Sequence, residues 1–533
     1  MTQPKKRLVL FLPHRADPDQ GVRVAADLLP LELLQIAALP EANGYEVHII
    51  DAMVHEDYME RLDQLCDGAL LFASSCILGF QVAHGARVAK KIRAKYPNLP
   101  MIWGGWFPSV APELYLQEGI ADAVALGQGE LTFWDVVQAL TAGESLESVA
   151  GLVLERDGKP FYTPHRAVVG FEKIPDVPWH LIDFEEYVAR QNDTGPWKVR
   201  HKYPDPWKMD PNEPVRGFSY YSSFGCPEPC TFCCSPVVTG RRWKAIPGDV
   251  LAERLLGLQD RFKFNVMRFQ DANFGVKEHR SNVFSEALIE AGSPFWWSGC
   301  YEIETIHRYK KESMDLMRDS HCHMISVGAE AGSEEQQDRI KKKIDVSHFE
   351  SSLREMNDRD ITTGCSWIIG YPNETPESMR ETIRVAAEMK YKFRRSASDI
   401  FPFRPIPGTE DFDTTVKMGY QPPTTLEGWG AMLEYRLEID DLQLPEDVVR
   451  TWRRYGVAST FYDGLAKEGA GWVHDLMRGI SGWRLRNNNY SVPIEGRLFH
   501  AYVKSTGQNL KANTAKSGQE LDRTPGVTPS APL

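Results

Sequence analysis

Cys226, Cys230 and Cys233 form a C-x3-C-x2-C run inside the stretch YSSFGCPEPCTFCCSPVVTGRR, residues 221–242. Gly225, Pro227 and Pro229 bend the chain there, so a loop that brings three thiolates toward one point is expected. Three close thiolates want a metal. A tetrahedral zinc would need a fourth protein ligand at short interval, in a C-x2-C or H-x3-H pair, and none follows. A [4Fe-4S] cluster held by three cysteines leaves one iron open for a small ligand, an asymmetry that suits three thiolates better. Cys234, next to Cys233, points elsewhere on an extended backbone and reads as a bystander.

Ahead of this loop, short apolar runs at 8–12, 47–50, 69–73, 101–104 and 123–126 alternate with amphipathic stretches at 31–42, 58–66, 82–95 and 130–140. Such alternation predicts five strands of a doubly wound parallel sheet covered by helices. Pro40 should kink or shorten the first helix. Ligands of such sheets bind beyond the carboxyl ends of the strands, so the informative loops are 13–22, SSCILGF (74–80), GGWFPS (104–109) and GQGE (127–130). Glycines in them permit close backbone approach to a bulky ligand, or simple turns. Residues 151–162 read as a hairpin around Asp157-Gly158, and a Pro- and Trp-rich linker with a short helix follows to about 214. Trp179, Trp197, Tyr203 and Trp207 in that linker are expected to serve packing.

Behind the cysteine loop the βα rhythm resumes, with strands at 266–269, 295–298, 324–329, 363–369 and 399–402 and helices at 247–262, 313–317, 346–358 and 375–389. With the strand before Cys226 these make six βα units. Reactive groups of such barrels sit at the carboxyl ends of strands. Here the ends read FQDANFG (269–275), GAEAGS (328–333), IIGYPNET (368–375) and FRPIPGT (403–409). From residue 424 helical, aromatic-rich segments take over, carrying Trp429, Trp452, Tyr455, Phe461, Trp472, Trp483 and the arginines 478, 484 and 486. A helical cap there could supply a substrate pocket, with arginines suited to a carboxylate or phosphate, or be a packed subdomain.

The cysteine spacing, with Phe232 just before the last thiolate, resembles the signature of the radical SAM enzymes. GGWFPS and GQGE resemble the GG-x-x-P-S and G-x-G-E elements of the cobalamin-dependent (B12-binding) members of that family, of methyltransferase or anaerobic cyclase type. The resemblance covers roughly residues 7–425. It implies an α/β fold with an N-terminal Rossmann-like cobalamin-binding domain (1–145) and a partial (βα)6 TIM barrel radical SAM core (215–423), to which the sequence itself adds a hairpin and linker (146–214), a helical C-terminal domain (424–506) and, from its polar Pro-, Thr- and Ser-containing composition, a disordered tail (507–533). It further implies that Cys226, Cys230 and Cys233 hold the [4Fe-4S] cluster, whose open iron takes S-adenosylmethionine. Glu330 would accept from the ammonium or ribose hydroxyls of that cofactor, Asp271 or Asn273 would meet its amine, and Ile369 and Tyr371 would lie near adenine. Gly370 to Glu374 resembles the fifth-strand motif of the family, and Pro405, Pro407 and Gly408 a P-x-P-G-T element closing the sixth strand. Cobalamin, as methylcobalamin, would be held by Ser75, Ile77, Leu78, Gly104, Gly105, Ser109, Gly127, Gly129 and Glu130. The D-x-H-x-x-G motif of histidine-ligated cobalamin proteins is absent, because His14 sits in LPHRADPDQG with no Asp two residues earlier. Either His14 or no side chain ligates cobalt, and in the latter case Ile77 or Leu78 lies beneath it.

Composition sets outer limits. At 533 residues the chain exceeds one hydrophobic core and should hold two or three domains. Lys+Arg 61 against Asp+Glu 73 gives a net −12, which argues against nucleic acid as a partner. The apolar run near the N-terminus is too short for a secretory or membrane-spanning segment, and nine cysteines over this length do not form a disulfide framework. A cytoplasmic, monomeric enzyme is expected, acting on a small molecule and fed by an electron donor such as flavodoxin or ferredoxin. By the resemblance it methylates an unactivated carbon after a 5′-deoxyadenosyl radical has abstracted hydrogen. The alternative is a non-methylating enzyme of the same architecture, such as an oxidative cyclase.

Overall fold

The computed structural model describes residues 6–15, 29–194, 213–393, 396–432, 444–463 and 471–491. They divide into two compact units, one of residues 1–195, 218–246 and 404–434, the other of 196–217, 247–403 and 435–533.

The first unit is built on β1 (Arg7–Leu12), β2 (Glu46–Asp51), β3 (Leu71–Ser75), β4 (Met101–Gly104), β5 (Ala123–Ala125), β6 (Leu152–Arg156) and β7 (Lys159–Tyr162). Its sheet runs β2-β1-β3-β4-β5-β6-β7. The first five strands are parallel, in the doubly wound order that reverses between β1 and β3. The hairpin β6–β7 is not part of a linker. It pairs antiparallel with β5 and extends the sheet to seven strands. β1 explains why this sheet forms: Leu8 to Leu12 are fully buried, as strands covered by helices on both faces require. Each such side chain contributes about 1.5–3 kcal/mol. Helices Leu31–Ala42 and Tyr58–Cys66 have the bounds that their periodicity predicts. Pro40 lies in the last turn of the first, where it removes the donor to the Ile36 carbonyl, and the helix still continues two residues past it. Helix Leu426–Met432 packs in this unit, with Trp429 at 5.6 Å from Phe107 in the core. The connector contributes helix Phe184–Thr194, which Tyr187 pins through a hydrogen bond to the buried carboxylate of Asp51 at 3.0 Å. Trp179 packs in a tilted arrangement on Phe218, 4.8 Å between rings, as a packing residue should; residues 197, 203 and 207 lie outside the described residues.

The remaining strands are β8 (Gly217–Tyr220), β9 (Ser223–Phe224), β10 (Lys244–Ala245), β11 (Val266–Phe269), β12 (Trp296–Tyr301), β13 (Cys322–Glu330), β14 (Thr362–Ile369) and β15 (Ser396–Pro402). The second sheet runs β15-β14-β13-β12-β11-β8, parallel from β11 to β15, so the six-stranded half-barrel order holds. The middle of each of its long strands alternates. Trp297, Tyr301, Ile325, Val327, Cys365 and Trp367 are buried on one face, where Trp367 meets Phe349 of helix His348–Asn357 at 5.0 Å. Arg268, Ser298, Cys300, Ser326, Gly328, Gly364, Ser366 and Asp399 are half-exposed on the other. A filled barrel would carry bulky branched residues there. This face instead mixes small and polar residues with the half-exposed Trp296, Met324, Ile368 and Phe401.

Helices Glu446–Asp463 and Gly471–Asn487 belong to the second unit. Trp452 donates to the Ile400 carbonyl and Tyr455 packs nearby, both buried, whereas Trp483 is exposed. Arg484 is buried and donates to the Asn489 carbonyl at 3.0 Å, a structural use of one expected ligand arginine. Among the described residues no helix is long and apolar enough to cross a membrane.

Candidate functional site

Cys226, Cys230 and Cys233 lie in a loop of the first unit between β9 and helix Ser235–Thr239; none is in a disulfide. Gly225 has φ +86°, and a Cβ there would sit 2.0 Å from the Arg242 carbonyl oxygen, so only glycine lets the loop leave β9 in this direction. Cys226 and Cys230 are buried and Cys233 is half-buried. The Ser235 amide donates to Cys233 Sγ at 3.4 Å, the kind of contact that stabilises a thiolate and tunes a cluster bound to it. Cys234 departs from expectation: it caps helix Ser235–Thr239 in helical geometry (φ −74°, ψ −15°) rather than lying on extended backbone. Its hydrogen bond with Cys233 pulls its thiol below the ordinary range.

The loop is fastened from a distance. Thr231 Oγ1 donates to Asp411 Oδ2 at 3.0 Å, and the Asp411 amide donates to the Thr231 carbonyl at 3.1 Å. Asp411 is delivered by P-x-P-G-T: Thr409 caps helix Glu410–Lys417 by accepting from the Phe412 amide at 3.1 Å. Among the described residues no group of three His, Cys, Asp or Glu side chains is placed to hold a single ion. A cluster takes each thiolate on a different iron, and three cysteines fit it.

The second group of expected residues rims the carboxyl ends of β3, β4 and β5 in the same unit. Ser109 ties two of these loops, donating to the Gly105 carbonyl at 2.7 Å and accepting from the Gly127 amide at 3.1 Å. Two of the glycines are required by the protein's own packing. A Cβ on Gly105 (φ +101°) would lie 2.5 Å from the Cys76 carbonyl oxygen and 2.7 Å from Ser75 Oγ; one on Gly127 would lie 3.0 Å from the Val238 carbonyl oxygen, just past the cysteines. Gly104 and Gly129 have only ordinary neighbours, Ala125 and Ile36. GGWFPS is helical from Trp106–Val110, not a bare loop, and this helix packs against Ser235–Thr239. The rim and the cysteine loop thus share one compact unit. On the loop after β3, Ile77 and Leu78 are half-exposed between buried Ser75, Cys76 and Gly79, an apolar ledge that fits a bulky overlying corrinoid. Gln81 shapes the ledge by accepting from the Ile77 amide at 2.8 Å and donating to the Pro13 carbonyl at 3.3 Å.

His14 lies beside His84 (4.9 Å between rings) and Tyr58 (5.7 Å), and its amide donates to His84 Nδ1 at 3.0 Å. Burial holds His84 neutral, with its pKa lowered to about 3. Glu130 is buried at the head of helix Glu130–Ala142, and burial raises its carboxyl to about 7.

The third group lies in the second unit, at the ends of β11, β13 and β14. Asp271 and Asn273 are buried, and the Asp271 carboxylate acts on the buried Arg280 guanidinium, whose pKa burial lowers. Ile369 is fully buried in phase with Trp367, so the side chain β14 offers to the open face is that of Ile368. Tyr371 is buried under the Arg339 guanidinium (5.2 Å) and beside Phe403 (5.6 Å). Glu374 supports rather than binds: Oε2 accepts from the Gly370 and Tyr371 amides at 2.7 and 3.1 Å, and Oε1 from Ser378 at 2.8 Å. Glu330 closes β13 with its carboxylate on Lys342. The sequence reading missed Asp411, Lys342 and Glu302. Only the position of Asp411, two residues past P-x-P-G-T, offered a sequence signal.

Comparison with known proteins agrees with this layout. The B12 binding domain family matches residues 20–137, and the Radical SAM superfamily matches 220–386. The chain belongs to the class of proteins that joins these two domains, the B12-dependent radical SAM class. It is 25% identical over 389 residues to an uncharacterized methyltransferase of Pyrococcus horikoshii, covering 71% of this chain and 77% of that one. It is 23% identical over 381 residues to an anaerobic magnesium-protoporphyrin IX monomethyl ester cyclase of Synechocystis, covering 68% of each. In fold it is similar to the cobalamin-dependent S-adenosylmethionine radical enzyme OxsB, solved with aqua-cobalamin and S-adenosylmethionine bound (TM-score 0.66, 14% identity, 97% of this chain and 78% of that one). It is also similar to the radical S-adenosylmethionine methyltransferase TsrM of Kitasatospora setae, solved with cobalamin and a [4Fe-4S] cluster (TM-score 0.61, 16% identity, 91% and 100%).

Proposed function

We propose that this chain methylates an unactivated carbon of a small, polar substrate, using a [4Fe-4S] cluster, S-adenosylmethionine and cobalamin. The observation that carries the reading is the sharing of one compact unit by a three-cysteine loop and a corrinoid-type rim, joined where helices Trp106–Val110 and Ser235–Thr239 pack. When bound, the cluster supplies the electron that cleaves S-adenosylmethionine, and the corrinoid carries the methyl group.

The protein holds and orients. Cys226, Cys230 and Cys233 anchor the cluster, Phe232 lies against it, and the ledge of Ile77 and Leu78 supports the corrin without offering an electron pair. Ser75, Gly104, Gly105, Ser109, Gly127, Gly129 and Glu130 shape its surroundings. Asp271, Asn273, Glu330 and Tyr371 receive S-adenosylmethionine, with Ile368 in place of the buried Ile369 on the open face of β14. The open face of the second sheet supports a polar substrate. Ser298, Ser326 and Ser366 are half-exposed there, and among the described residues their hydroxyls make no hydrogen bond to protein. We assign the enzyme to the cytoplasm, as a monomer with a flavodoxin- or ferredoxin-type donor.

The likeness to the cyclase supports a second reading, oxidative cyclisation without methyl transfer. Anaerobic reconstitution with iron, sulfide and hydroxocobalamin tests both. Methyl transfer yields S-adenosylhomocysteine together with 5′-deoxyadenosine, whereas cyclisation yields only the latter. Protein that loads zinc in place of iron, or refuses the corrinoid, defeats both readings.

A further inference from the structure

Pro13 and His14 are joined by one peptide group, and two buried side chains grip both of its polar ends. Gln81 Nε2 donates to the Pro13 carbonyl at 3.3 Å, and the His14 amide donates to His84 Nδ1 at 3.0 Å. Gln81 is 1% exposed and His84 8%. Both stand in the first turns of helix Phe80–Lys95, where with Gly85 they share one helix face at spacings of three and four residues. Gly85 lets that face come close: a Cβ there would lie 2.9 Å from Pro13 Cγ and 2.8 Å from the Trp103 ring.

Neither gripping side chain can be turned around. Gln81 Oε1 accepts from the Ile77 amide at 2.8 Å, which commits its nitrogen to the Pro13 carbonyl. Burial keeps His84 neutral, so its ring carries one N–H. Because Nδ1 accepts, that proton sits on Nε2 and is donated to the Tyr58 hydroxyl at 3.1 Å. Gln81 and His84 thus use both of their polar atoms, and an apolar residue in place of either strands peptide groups out of water.

The grip closes on the crevice of the sheet. Strand order reverses between β1 and β3, and ligands of doubly wound sheets enter between the loops that leave two such strands. Pro13 and His14 begin the loop after β1, and Ile77 belongs to the apolar ledge after β3. Gln81 is bonded to both loops at once, while His84 holds the other end of the same peptide. The spacing of the crevice walls is therefore set by side chains that need not touch what lies between them. A large, rigid ligand is sensitive to that spacing, since a site about 1 Å too loose loses its fit.

We propose that Gln81 and His84 are positioning residues that set the width of this crevice for the corrinoid, acting through the Pro13–His14 peptide. This rests on the function proposed above. The test uses the full-length protein, reconstituted anaerobically, with hydroxocobalamin binding measured by equilibrium dialysis beside iron content and the thermal unfolding of corrinoid-free protein. Asparagine can place an amide oxygen where His84 Nδ1 stands, whereas the longer glutamine places its amide where Nε2 stands. His84→Gln should bind hydroxocobalamin roughly tenfold more weakly at parent iron content, and His84→Asn at least about threefold more tightly than His84→Gln. Both variants lose the ring, so a merely structural role predicts equal losses in both. If either does not fold, Gln81→Met takes its place and should bind at least about threefold more weakly than the parent. In the parent itself, amide exchange at residues 13–15 and at residues 77–79 should slow together when hydroxocobalamin is added. A loss smaller than about threefold in His84→Gln, or in Gln81→Met where it stands in, equal losses in the two His84 variants, or slowing confined to one loop overturns the proposal. Parent protein that loads iron yet does not bind hydroxocobalamin defeats the underlying function instead.

Discussion

Thr231 and Asp411 are 180 residues apart and clasp each other twice, hydroxyl to carboxylate at 3.0 Å and amide to carbonyl at 3.1 Å. Both are buried, so the carboxylate bond is charge-assisted and shielded from water. Breaking it leaves a buried group unsatisfied, at about 1–3 kcal/mol. Because Thr231 stands between Cys230 and Cys233, the loss falls on the cysteine loop. Asp411→Ala should bind less iron and sulfide per chain than the parent after identical reconstitution, with Asp411→Asn between the two. Equal iron content in all three would show that the clasp does not hold the loop.

Gly105 separates the cost of backbone conformation from the cost of space. A methyl group added at Gly44 (φ +80°) would have nothing within 4 Å, whereas one at Gly105 (φ +101°) would meet the Cys76 carbonyl oxygen at 2.5 Å. Gly44→Ala should cost about 1–2 kcal/mol, from left-handed geometry alone. Gly105→Ala should cost more and also lose corrinoid, since it pushes apart the loops after β3 and β4. Thermal unfolding and the corrinoid absorption of the loaded protein check both halves.

How far the sequence revealed this molecule follows from the range of each signal. β4 and helix Tyr58–Cys66 were legible to the residue because periodicity and turn residues mark them locally, and helix Leu31–Ala42 because Pro30 and Asn43-Gly44 bracket a mostly apolar run. Helix Glu278–Glu290 was missed, its polar sequence giving weak amphipathic contrast. The union of β6 with β5 was missed because pairing depends on partners rather than on the hairpin itself. The cysteine run was readable as a metal loop, whereas its clasp to Asp411 and the pairing of Glu302 with Lys342 join residues far apart in sequence. The alternation on β12 to β14 stands in the sequence itself, in runs such as CHMISVGAE.

The two faces of the second sheet should respond oppositely to substitution. Ser326 and Ser366 line the half-exposed face, and their hydroxyls make no hydrogen bond to protein among the described residues, so Ser326→Val and Ser366→Val should shift stability by less than about 1 kcal/mol. Trp367, one residue on, is fully buried and donates to Ser398 Oγ at 2.8 Å; Trp367→Ala should cost about 3–5 kcal/mol. Denaturant unfolding measures all three. Comparable losses at Ser366 and Trp367 would mean that the face assigned to substrate is packed core.

Glu130 gives the protein a pH dependence of known sign. Its carboxyl titrates near 7 in the folded chain, from an ordinary 4.5, because burial disfavours the charge; the amides at the head of its own helix oppose this only in part. Between these values the folded chain binds more protons at this site than the unfolded chain. Stability therefore falls as pH rises from about 4.5 to about 7, by at most about 3 kcal/mol, and is level on either side. Glu130→Gln is neutral at every pH and lacks this slope. It should match the parent at about pH 4.5 and exceed it at about pH 8. Asp51, raised to about 6 by burial, imposes its own slope on both proteins and cancels in the difference. A difference in unfolding free energy that stays level from about pH 4.5 to about pH 8 would mean that Glu130 carries its charge in the folded state, and that the rim proposed for the corrinoid is wetter than its packing indicates.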